Sequence, residues 1–125
     1  MSIKSRSCNR TDAYIPALYE HIFNRITSHL PSTRSVLIEI GAGSGLGKQF
    51  LDDMIVTDIE FHRALDLTCR SEHLPFRDDS VDALVLKDAL HHIPDVEAFL
   101  DEATRVLKVG GVAVIFDPYW GALAR

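Results

Sequence analysis

The stretch Val36-Leu-Ile-Glu-Ile-Gly-Ala-Gly-Ser-Gly45 decides how this chain is read. An apolar, β-branched run breaks directly into Gly41, Gly43 and Gly45, which is how a fully buried parallel strand ending in a tight turn reads. Glycine has no Cβ, so such a turn can take positive φ and let the backbone approach a ligand closely. In an open α/β sheet, ligands bind beyond the carboxyl ends of the strands, where the strand order reverses.

The next segment completes the motif. Met54–Thr57 reads as a second buried strand and runs into Asp58. A carboxylate there accepts two hydrogen bonds, which suits the neighbouring hydroxyls of a ribose. A bare strand–helix turn with Asp58 as a surface acid would require turn, spacing and acid to coincide by chance. The dinucleotide fingerprint G-x-G-x-x-G is not met: its third glycine falls on Leu46 when counted from Gly41, and on Lys48 when counted from Gly43. Glu39, two residues before the first glycine, would repel a pyrophosphate and accept a positively charged ligand. A nicotinamide enzyme, which would bind NAD, is therefore the weaker reading.

Outward from this centre, Ile15, Leu18, Tyr19, Ile22, Phe23, Ile26 and Leu30 recur at helical spacing, with Pro16 expected in the first turn and Pro31 ending the pattern. Leu46–Leu51 predicts a short helix. Between Asp58 and Pro75 the pattern is poor, and a strand at Ala64–Leu67 would follow too short a crossover, so a weak edge strand is expected. Val81–Leu86 predicts a strand, Asp88–His92 a loop or helical turn, and Pro94–Leu107 a helix with apolar residues at helical spacing. Gly110-Gly111 ends that helix before a strand at Val112–Phe116. The alternation predicts a Rossmann-like α/β domain over residues 13–125, after a flexible tail over 1–12. Its mostly parallel sheet would run in the order 2-1-4-5, with a weak third strand and helices on both faces.

Composition fits one soluble core: 125 residues, 46% apolar and 25% charged. A net charge of −5 argues against a nucleic-acid surface, and Lys4, Arg6 and Arg10 read as a solvated tail. No apolar run approaches the ~20 residues of a membrane span, and the first residues lack a secretory pattern. Cys8 and Cys69 stand in no metal or disulfide spacing, so a reducing cytoplasm is expected.

The run VLIEIGAGSG, the acid Asp58, EHLPFRDDSVDALVL, DALHHIPD and FLDEATRVLKVGG together resemble the class I S-adenosylmethionine-dependent methyltransferases. They look most like the small-molecule branch with LPF and RVLKPGG-type motifs. The likeness covers Val36 to Pro118, about two thirds of the chain. It implies methyl transfer from S-adenosyl-L-methionine to a small-molecule acceptor. By the same resemblance, Glu39 would hold the methionine amine, and Gly41, Ala42 and Gly43 would form the turn beneath methionine and ribose. Asp58 would hold the ribose, Ile59 would pack on the adenine, and Glu72 and His73 would meet its edge. The Lys87 backbone carbonyl would meet the methionine. Arg70 stands where the family commonly has an acid, and Val109 replaces a usual proline. The family's sheet continues with a further helix and an antiparallel pair, so a truncated chain is expected. Its last strand would be an open edge, covered by a second copy or a partner chain.

Catalytic residues are not readable. The sulfonium already activates its methyl group, so positioning can supply much of the rate. His91 is a candidate base, though LHHI reads more simply as closing the crevice. Asp117, Tyr119 and Trp120 follow the last strand, where an acceptor could rest. Asp88 and His92, at i and i+4, would make only part of a metal site, and no metal is expected. The alternative function is an inactive cofactor-binding or scaffold module that serves a partner chain.

Overall fold

A computed structural model describes the backbone of residues 10–118 and the side chains of residues 15–118. Most of the expected tail, together with Tyr119 and Trp120, lies outside the described residues. Helix α1 (Arg10–Thr27) begins within the last residues of that tail. Pro16 consequently sits inside the helix, not in its first turn, and removes one backbone donor there.

Among the described residues five strands form one parallel sheet: β1 (Leu37–Ile40), β2 (Met54–Asp58), β3 (Leu67–Thr68), β4 (Val81–Lys87) and β5 (Leu107–Phe116). Their order is β3-β2-β1-β4-β5, the order read from sequence with its weak edge strand in place. That edge strand lies a little later than Ala64–Leu67, because Leu67 and Thr68 are the residues that pair with Thr57 and Asp58.

Side chains alternate across a strand, so each strand serves both faces. On one face Leu37, Met54, Val56, Ala83 and Val85 pack with Ile22, Phe23 and Ile26 of α1. On the other, Ile38, Ile40, Leu84 and Leu86 pack with Phe99, Ala103 and Val106 of α2 (Val96–Val106). Burial of each large apolar side chain is worth roughly 1.5–3 kcal/mol, so both helices are held mainly by these faces. Glu39 and Lys87 fall on the α1 face by the same alternation, and this brings two charges to one side of the sheet.

Local chemistry sets the boundaries. Asp95 caps α2 by accepting the Ala98 N–H at 3.0 Å, which places the helix start just after Pro94. Where a helix over Leu46–Leu51 was expected, a single 3₁₀ turn spans Leu46–Gln49. It begins at left-handed Gly45 without a side-chain cap, and a short stretch so started does not propagate. β5 starts earlier than expected, since Leu107 already pairs with Val81 before the ladder resumes at Ala83 and Val112. The residues between form a bulge around left-handed Gly110.

Arg105 ties the segment before β4 to α2. Its guanidinium donates to the carbonyls of Leu74 and Phe76 and pairs with Glu102 and Asp78, while Glu102 accepts the Leu74 N–H at 2.7 Å. Among the described residues β5 is the outer strand, with Ile115 and Phe116 each 39% exposed. No described helix is long and apolar enough to cross a membrane.

Candidate functional site

The glycine turn is built as its composition requires. Gly41, Gly43 and Gly45 have φ of 69°, 58° and 77°, where other residues are strained. The Ala42 N–H donates to the Thr57 carbonyl at 2.8 Å, and the Thr57 hydroxyl donates back to the Glu39 carbonyl at 2.8 Å. Asp58 accepts the Gly43 N–H at 2.8 Å through one oxygen and the Glu60 N–H at 3.1 Å through the other. Each oxygen retains acceptor capacity toward the crevice. A Cβ on Gly41 would sit 2.6 Å from the Ala89 Cβ, so the turn lies directly against the segment that follows β4.

Two cavities open around this turn. One, of about 440 Å³, is lined by Asp58, Ile59, Cys69, Glu72 and His92 among others. The second, of about 240 Å³, lies under α1 between Tyr19, Glu39, Ala42, Gly43 and Lys87. Gly41 and Asp88 line both.

The smaller cavity carries opposed charges. Glu39 is 3% exposed, and its Oε2 is a buried oxygen without a hydrogen-bond partner among the described residues. Burial pushes its carboxyl up to about 7, against the pull of the Lys87 ammonium and with a small push from Asp58. An orphaned buried carboxylate is costly, and a cationic ligand group would relieve it. The Lys87 Nζ lies 2.7 Å from Asp88 Oδ2 and 4.3 Å above the Tyr19 ring. Burial opposes its charge, but Asp88 and Tyr19 together hold the ammonium above its usual range.

In the larger cavity the Glu72 side chain is only 9% exposed and its Oε2 accepts the Ser71 hydroxyl at 3.0 Å. Arg70, at the position where an acid was expected from the resemblance, is largely exposed, with its Nε 3.9 Å from that carboxylate. Burial raises the Cys69 thiol pKa, which favours the neutral form.

Of the candidate cofactor-binding residues read from the sequence, all but His73 line one or other of these cavities. Glu39, Gly41, Ala42, Gly43 and Lys87 line the smaller cavity; Asp58, Ile59 and Glu72 line the larger, with Gly41 shared. His73 stands apart: it is exposed, its N–H turns back onto the Arg70 carbonyl, and it lines neither cavity. His91 likewise lines neither. Its Nδ1 is 2.9 Å from Asp117, whose carboxylate also accepts the Leu90 and His91 N–H groups. Asp117 is thereby engaged in fixing the turn after β4. The contributors absent from the sequence reading include Tyr19, which registered only as an apolar position of α1, and Asp88 as a crevice residue. The i,i+4 spacing of Asp88 and His92 drew attention to that segment for another reason.

Comparison with known proteins follows the same outline. The profile of a family described as a methyltransferase domain matches residues 38–115, more than half of the chain. Phthiotriol/phenolphthiotriol dimycocerosates methyltransferase 1 of Mycobacterium ulcerans is 26% identical over 115 residues, covering 78% of this chain and 42% of that protein. The ubiquinone/menaquinone biosynthesis C-methyltransferase of Xanthomonas axonopodis pv. citri is 45% identical over 49 residues, 39% of this chain and 19% of that protein. Geranyl diphosphate C-methyltransferase of Streptomyces coelicolor A3(2), solved with Mg2+, geranyl diphosphate and S-adenosyl-L-homocysteine, shares the fold. It superposes with a TM-score of 0.71 at 19% identity, covering 82% of this chain and 47% of that one. The chain spans less than half the length of each of these three relatives.

Proposed function

Because this chain belongs to the methyltransferase domain family, we propose that it binds S-adenosyl-L-methionine across the two cavities and passes its methyl group to a small-molecule acceptor. The observation that carries this reading is the division of labour in the crevice. An orphaned, buried Glu39 carboxylate lies at one end and the Asp58 carboxylate, at the end of β2, at the other.

When bound, the cofactor supplies a methyl group already activated on a positive sulfur. The chain's own residues bind and orient. Glu39 takes the methionine ammonium, and its charge is satisfied there without water. Gly41, Ala42 and Gly43 provide a floor with no side chain large enough to obstruct the ligand. Asp58 receives the ribose hydroxyls, already oriented by the Gly43 and Glu60 amides. Ile59 and Glu72 flank the base, and the Lys87 carbonyl lies beside the methionine. A preorganised acceptor set of this kind lowers the ordering cost of binding. The acceptor itself and a second copy or partner against the β5 edge belong to the same proposal; Ile115 and Phe116 at that edge support the latter.

Calorimetric titration of the purified chain with S-adenosylmethionine, S-adenosylhomocysteine and NAD tests the first half. Binding of the first two and not the third is expected, with both lost or strongly weakened in Asp58→Ala. Indifference to both sulfur nucleosides would refute it. Transfer of labelled methyl groups over an acceptor panel then separates an enzyme from an inactive binding module.

A further inference from the structure

Among the described residues only Gly41 and Asp88 line both cavities, which marks where the two adjoin. Gly41 offers backbone alone, so the side chain at the junction is that of Asp88. Given the cofactor reading above, on which this inference rests, the nucleoside occupies one cavity and the amino acid the other. The atom joining those halves must pass through the junction, and in S-adenosylmethionine that atom is the sulfonium sulfur. We infer that the Asp88 carboxylate faces the sulfonium and sets a negative charge against the reacting centre.

The residue is held for such a role. Its φ of 53° lies in the left-handed region, which Asp tolerates better than most residues but which still carries strain. Strain of this kind collects where a side chain must be aimed. The Asp88 N–H donates to the Phe116 carbonyl at 2.7 Å, which pins the residue to the end of β5. Lys87 binds Oδ2 at 2.7 Å, and among the described residues Oδ1 has no hydrogen bond. One oxygen is therefore anchored and the other is free.

A carboxylate at this point distinguishes the charged cofactor from its neutral product. The charge that Asp88 attracts disappears when the methyl group leaves, so charge as well as shape favours fresh cofactor over spent product. Lys87 reduces this effect without cancelling it, because it binds Oδ2 and leaves Oδ1 without a hydrogen bond among the described residues.

Titration of wild type, Asp88→Asn and Asp88→Gly with S-adenosylmethionine and S-adenosylhomocysteine tests the placement without any acceptor. Asn and Gly both accept the left-handed backbone, so both variants keep the fold, which circular dichroism and thermal melting check. The expected result is a loss of about five- to tenfold in affinity for S-adenosylmethionine, with S-adenosylhomocysteine changed by less than about twofold. Equal effects on both ligands, or an unchanged ratio, overturn the placement and leave the cofactor reading standing. A wild-type chain that binds neither ligand overturns the cofactor reading, and this inference with it.

Discussion

Asp58 accepts the Gly43 N–H at 2.8 Å, so the acid at the end of β2 fixes the turn at the end of β1. The carboxylate we propose as the ribose ligand also shapes the floor beneath it. Removing it should therefore cost more than one ligand contact. Asp58→Ala is expected to weaken S-adenosylhomocysteine binding by roughly 10- to 100-fold, the range for a lost charge-assisted hydrogen bond. Asp58→Asn, which can still accept the Gly43 amide, should fall between the two in calorimetry.

Gly41 and Gly43 should respond differently to the same change. Both have positive φ, so alanine costs about 1–2 kcal/mol of backbone strain at either. At Gly41 the new Cβ would also meet the Ala89 Cβ at 2.6 Å, whereas at Gly43 nothing among the described residues lies within 4 Å. Urea denaturation should place Gly41→Ala clearly below Gly43→Ala in stability. Equal midpoints would mean that the segment after β4 yields freely.

Glu39 makes stability fall as pH rises. Its carboxyl lies near 7 in the fold, against an ordinary 4.5, so between those values the folded state holds a proton that the unfolded state has lost. The penalty grows through that window and reaches about 3 kcal/mol above it. Glu39→Gln should melt higher than wild type at pH 8, and the gap should close by pH 4. A ligand ammonium needs the ionised form, so S-adenosylhomocysteine affinity should rise with pH through 7 in wild type and not in the variant. Titrations in buffers of different ionisation enthalpy would register the released proton.

Arg105 reaches the site indirectly, by holding Leu74 and Phe76 and so the wall that carries Glu72. Lysine cannot reproduce its forked contacts, so Arg105→Lys should lower the melting temperature and speed amide exchange over residues 72–76. Glu102, held near 2 by Arg105, stabilises the fold above its ordinary 4.5, and that contribution should fade as pH falls toward 2. Screening keeps it modest at this partly exposed position.

The parts legible in the sequence are those that backbone geometry dictates. Gly41, Gly43 and Asp58 announced the crevice because positive φ and a strand-end acid leave few alternatives. The weak β3 was legible as a crossover too short for a helix. Periodicity could not show that Leu46–Gln49 would stop at one 3₁₀ turn, because Gly47 is hemmed in by Glu39, Met54 and Phe23 from three separate segments. Tyr19 and Asp88 stayed hidden for the same reason: α1 and the end of β4 meet over Lys87 only in three dimensions. His73 sits beside cavity residues in the chain, yet it lines neither cavity and its N–H bonds the Arg70 carbonyl.

The position of β1 between β2 and β4 has a bearing on synthesis. During translation, β1 and β2 emerge together and can pair well before β4 leaves the ribosome. At that stage Glu39 has no neighbouring strand on its far side and no Lys87 to face, so its burial is incomplete. Arrival of β4 completes the burial of an acid that Gly47 already abuts. A nascent chain stalled before Val81 should therefore be unable to retain a sulfur nucleoside, although it already carries every glycine of the turn and Asp58.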